Sequence, residues 1–114
     1  VQKINHMATR ATIIVEGQTS VKAYKHWDGY PEATLAWLQE FNQSFAKVRG
    51  DDPEYKLAQL LRSSAFDAEK YNLDSSRNTG WGIVPINADM WEEYEYFLRH
   101  DGSVDCKPVE RHYD

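Results

Sequence analysis

Three kinds of hydrophobic pattern follow one another along the chain: β-branched runs, then helical spacing, then strict alternation. Residues 9–15 and 19–25 are rich in Ile, Val, Thr and Tyr, with Gly17-Gln18 between them as a tight connection, which predicts a β-hairpin. Pro31 suits a first helical turn and Glu32 complements the positive end of a helix dipole. Leu38, Phe41, Phe45 and Val48 then recur at helical spacing as far as Gly50, predicting a first helix that buries this row. Asp52-Pro53-Glu54 repeats the starting signal, and Leu57, Leu60, Leu61, Ala65 and Ala68 line one face of a second helix reaching about residue 70.

The polar stretch 72–80 reads as a mobile loop. Residues 81–86 form a short strand in which Pro85 marks an edge or an end. Tyr94, Tyr96 and Leu98 alternate with Glu93, Glu95 and Arg99, the mark of a half-buried strand, and Asp101-Gly102 turns the chain into a last strand at 104–107. The expected order is β-β-α-α-β-β-β. Hairpin-joined strands pair antiparallel, and two central amphipathic helices need one face of a sheet to cover. The expectation is therefore an α+β two-layer sandwich, an antiparallel sheet of about five strands with two helices packed on one face.

Length makes this one domain, residues 7–110, with one core. Met7-Ala8-Thr9-Arg10 reads like a natural start, so residues 1–6 are expected to be a tag remnant or disordered extension, and residues 111–114 a tail. Cys106 is the only cysteine, which excludes an internal disulfide and points to a reducing, cytoplasmic setting. No apolar run approaches the ~20 residues of a membrane span. A formal net charge of −5, with the cations scattered among acids, argues against direct nucleic-acid binding.

The segment Lys25-His26-Trp27-Asp28-Gly29-Tyr30-Pro31-Glu32 concentrates candidate chemistry at a strand-to-helix junction. His26 and Asp28, with Glu32, are suited to acid–base work or to an N,O metal pair. The structural reading weighs more: Asp28 satisfies helix-start amides, Gly29 takes a positive φ, Pro31 sets the first turn, and Trp27 with Tyr30 plugs the core. Gly80-Trp81-Gly82 lacks the third glycine and the following helix of a phosphate loop. No catalytic set, metal set or cofactor is assigned.

Met7-Ala8-Thr9-Arg10-Ala11-Thr12-Ile13, followed by His26-Trp27-Asp28-Gly29-Tyr30, resembles a group of small uncharacterised proteins of bacteriophages, prophages and other bacterial mobile elements. Those typically begin Met-Ala-Thr-Arg-Ser-Thr-Ile, and Gly80-Trp81-Gly82-Ile83 and Glu95-Tyr96-Phe97-Leu98 are similar to their closing strands. Ala11 departs from the group, where serine is commoner. The resemblance implies a genomic setting and no particular chemistry. The leading expectation is thus a phage- or prophage-type accessory protein that binds another macromolecule, most simply a protein, with His26, Trp27, Asp28, Tyr30 and Trp81 as contact residues. The alternatives are a small metal-dependent or acid–base hydrolase centred on His26, Asp28 and Glu32, and a self-associating structural protein, such as a homodimer, using a strand edge at 81–86 or 104–107.

Overall fold

The computed structural model of the 114-residue chain describes residues 9–49, 51–70 and 80–110, and of residues 65–70 the backbone alone. The expectations for residues 1–6, for the loop at 72–79, for Ala65 and Ala68 and for the tail lie outside what is described. The elements follow the anticipated order: β1 (Ala11–Val15), β2 (Val21–Lys25), α1 (Pro31–Arg49), α2 (Pro53–Lys70), β3 (Trp81–Pro85), β4 (Tyr94–Leu98) and β5 (Val104–Pro108). The result is an α+β fold in which both helices pack against a five-stranded sheet.

Period-two alternation decides which residues reach the core. Ala11, Ile13 and Val15 of β1 face the helices and are buried with Ala23 of β2, Tyr96 and Leu98 of β4, Leu38 of α1, and Leu57 and Leu60 of α2. The connection between β1 and β2 is longer than the expected tight turn. It spans residues 16–20, with Gly17 at φ +92° and the Gln18 N–H bonded to the Val15 carbonyl at 3.0 Å.

The sheet is mixed, not antiparallel throughout. Its order is β3-β2-β1-β4-β5, and β4 runs parallel to β1 with Ala11 opposite Tyr94 and Val15 opposite Leu98. The reason lies in the connection from β3 to β4. β3 occupies the free side of β2, which leaves open the outer side of β3 and the far side of β1, and β4 takes the latter. Residues 86–93 carry the chain there: the Ile86 N–H bonds to the Ser20 carbonyl beyond one end of the sheet, and the Glu93 N–H to the Arg10 carbonyl beyond the other, each at 2.9 Å. Crossing three strand spacings and one strand length is a diagonal of roughly 20 Å, within the ~27 Å that eight residues can span. A chain that has traversed the sheet from end to end enters β4 in the direction of β1.

The face away from the helices is covered at its middle, where Thr12 and Lys22 are buried. Burial pushes the Tyr24 phenol above its ordinary pKa; Arg10 pulls it back, and Glu92 of the crossing segment adds to the rise. β3 and β5 are the outer strands, the two edges singled out in the sequence. The β5 edge is charged, with Arg99 paired to Asp105 and Lys107 3.4 Å from Glu95. Among the described residues no helix is long and apolar enough to cross a membrane.

The helices also hold the β4–β5 turn by polar contacts. Asn42 Nδ2 donates to the carbonyls of Arg99 and Ser103 at 2.9 Å each, and Lys56 Nζ donates to the Arg99 carbonyl at 3.2 Å while lying 5.5 Å from the Phe45 ring centre. Burial holds the Lys56 ammonium below its ordinary pKa, against the upward pull of Glu16 and Asp101. The folded chain therefore holds this proton less tightly than the unfolded chain. Its penalty on stability is full below the folded pKa and fades as pH rises towards the ordinary lysine value. Lys56→Met keeps a long apolar stem and leaves the Arg99 carbonyl bonded to Asn42. Urea unfolding at about pH 7 and about pH 10 should show the variant at least as stable as wild type at the lower pH, with its advantage shrinking at the higher one.

Candidate binding site

The corner between β2 and α1 is built mostly from backbone. The His26 N–H bonds to the Gly80 carbonyl at 2.7 Å, extending the β2–β3 ladder by one rung. Asp28 then turns the chain with φ +56°. The left-handed residue is thus Asp28 and not Gly29, and the Ala33 and Thr34 amides bond to the Tyr30 carbonyl rather than to the Asp28 carboxylate. Asp28 contributes its own carbonyl, which accepts the Thr34 hydroxyl at 2.6 Å.

Gly29 is required for space. Its N–H reaches the Thr9 carbonyl at 2.9 Å, its carbonyl accepts the buried Tyr96 hydroxyl at 2.6 Å, and a Cβ here would lie 2.6 Å from that of Ala11. Burial pushes the Tyr96 phenol far above its ordinary pKa, keeping it a hydrogen-bond donor.

The remaining residues of the sequence cluster spread around this corner. Trp27 lies against Gly80, where a Cβ would come 2.7 Å from the indole. Trp81 packs beside Trp37 of α1, ring centres 5.6 Å apart, with Lys25 Nζ 5.1 Å from its own ring centre. Tyr30 is half-buried at the helix start. His26 is exposed, its Nδ1 2.6 Å from the Tyr24 hydroxyl and its ring edge-on to Trp27. Glu32 belongs to a different neighbourhood. Burial pushes the Cys106 thiol above its ordinary pKa; the neighbouring Tyr96 hydroxyl opposes this and the nearby Glu32 adds to it. Among the described residues no three His, Cys, Asp or Glu side chains come together as a metal-binding group.

A second surface was not legible as a site in the sequence. Leu38 and Phe45 of the predicted α1 row are buried, but Val48 is 78% exposed. Ten residues at 100° each leave Val48 about 80° around the helix from Leu38, so the row drifts off the core. What it forms instead is a groove of about 640 Å³ between the helices, lined from α1 by Trp37, Glu40, Phe41, Ser44, Phe45 and Val48 and from α2 by Tyr55, Gln59 and Ser63. Four aromatic rings run along it. Trp37 stacks near Phe41 (6.3 Å, 12°), Phe41 near Phe45 (6.0 Å, 25°), and Phe45 meets Tyr55 at 5.8 Å. Arg49 lies against Tyr55, its guanidinium 4.5 Å from the ring centre and 3.4 Å from Asp52. The available signal was the i, i+4, i+8 spacing of Trp37, Phe41 and Phe45, an aromatic stripe beside the one carrying Leu38, where packing on a sheet needs only one.

This arrangement suits capture of apolar side chains, with Glu40, Ser44, Gln59 and Ser63 as the polar groups among the rings. The corner and the outer strand β3 respond differently to a methyl group. Gly29→Ala drives a Cβ into the β1 backbone and should lower stability by roughly 2–4 kcal/mol. Gly82→Ala, with no atom within 4 Å of its Cβ, should change it by less than ~1 kcal/mol. Urea titrations of both variants check the contrast. Comparison of the chain with known protein families, with curated proteins and with solved structures finds no match.

Proposed function

We propose that this protein is a binding module, a small accessory protein of the phage or prophage type, whose groove between α1 and α2 takes an amphipathic helix of a protein partner. The observation that supports this reading is the open aromatic row ending in Val48, 78% exposed, and Tyr55, 43% exposed. Exposed apolar side chains that adjoin one another in a concave surface are characteristic of contact sites, and aromatic anchors carry much of the energy of protein interfaces. Helices recognise such grooves through residues at i, i+3, i+4 and i+7. The net charge of −5 favours a protein partner over nucleic acid, and the working location is the cytoplasm.

The corner offers a second set of contacts, the exposed His26 with the half-buried Trp27, Asp28 and Tyr30 around it, and Trp81 behind them. The two surfaces are separable by mutation. Val48→Glu places a charge where solvent already reaches, so the fold tolerates it, whereas burial of that charge in an interface costs more than ~2 kcal/mol. In affinity capture from host lysate, with circular dichroism to confirm folding, the expected result is a partner retained by Trp27→Ala and lost with Val48→Glu. A partner lost only with Trp27→Ala would transfer the contact surface to the His26–Tyr30 corner. Equal capture by both variants would contradict both surfaces.

A further inference from the structure

We infer that the helix this groove accepts is α1 of a second copy of the chain, paired antiparallel about a two-fold axis; this rests on the reading of the groove as a helix-binding site. Trp37, Glu40, Ser44 and Lys47 follow one another at spacings of three and four, the seam along which one helix contacts another. Two charges of opposite sign stand on that seam. Glu40 lines the groove and Lys47 is exposed two turns further on, about 10 Å along the axis. Among the described residues neither has an ion-pair partner.

Self-pairing resolves both charges at once. In an antiparallel pair centred between residues 43 and 44, Glu40 of each copy comes level with Lys47 of the other, so symmetry makes the contact twice. A parallel pair in register would set Glu40 against Glu40 and Lys47 against Lys47, a like-charge arrangement that opposes association. The small Ser44 lies beside the axis, where two backbones approach most closely. Val48 falls level with the gap between Trp37 and Phe41 of the second copy, so the most exposed apolar residue of α1 meets the aromatic end of the groove. The ion pairs flank the two-fold axis and fix register and direction, while association is driven by the apolar residues beside them.

Sedimentation equilibrium of the full chain over a concentration series tests this, with circular dichroism on each variant. Wild type is expected to be a monomer–dimer system. Val48→Glu should raise the dimer dissociation constant more than about tenfold, Glu40→Lys about fivefold, and the exchange Glu40→Lys with Lys47→Glu should return it to within about twofold of wild type. A wild type that is monomeric throughout, a dimer indifferent to Val48→Glu, or a charge exchange that fails to restore association overturns the pairing. If the wild type is monomeric while Val48→Glu still abolishes capture of a different protein, self-pairing falls and the binding groove stands. A dimer broken by Ile83→Lys, a change on the outer strand β3, but not by Val48→Glu would mean that the copies join through their sheets, which also overturns the inference.

Discussion

The close approach of Gly29 to β1 is the constraint on which the arrangement of the two layers depends. At this residue the chain leaves the sheet, and three contacts tie it down within one peptide of length. Its N–H bonds to Thr9, its carbonyl takes the Tyr96 hydroxyl, and its Cα sits against Ala11 with no space for a side chain. Tyr96 stands on β4 and Thr9 precedes β1, so the parallel pair at the centre of the sheet holds the start of α1. Thr34, donating to the Asp28 carbonyl from inside the first turn, closes the corner from the helix side.

With its start fixed there and its far half tied by Asn42 to the β4–β5 turn, α1 has little freedom to rotate about its axis. That orientation buries Thr34, Leu38 and Asn42, and it turns the neighbouring stripe of Trp37, Phe41 and Val48 towards the gap beside α2. The groove is therefore a consequence of the corner. The aromatic rings of α1 that line it pack on one another along the helix and so are held in place, a preorganised surface that loses little side-chain freedom on binding.

Local chemistry made the elements legible in the sequence, because hairpin residues, the Pro31 and Pro53 helix starts and the alternation at Tyr94, Tyr96 and Leu98 each act within a few residues. Strand pairing is non-local and was not. Nothing within residues 86–93 announces that they traverse the sheet, and the parallel pairing of β4 with β1 follows only once β3 has taken the side of β2. The role of Gly29 was misread for the same reason. Its isolated sequence suggests conformational freedom, but the need is for space against Ala11, while the positive φ falls on Asp28. Val48 reads as core by spacing, because a row four residues long hides the drift that carries its last member off the sheet. The corner cluster itself was visible as an unusual run of residue types, but its structural reading gave Asp28 the helix-start amides and Gly29 the positive φ, whereas both residues act here through their backbone carbonyls.

The most direct test of this account is Tyr96→Phe, which removes one hydroxyl and leaves the Gly29 carbonyl without its buried donor while preserving the ring in the core. Urea unfolding combined with amide hydrogen exchange reads both the energy and its location. The account predicts a loss of about 1–3 kcal/mol, with exchange at Gly29 and Thr34 accelerated more than at amides of the β2–β3 ladder. Unchanged stability, or a loss spread evenly over the sheet with the corner amides as protected as before, would show that α1 is held by its apolar packing alone and that the corner does not set its orientation.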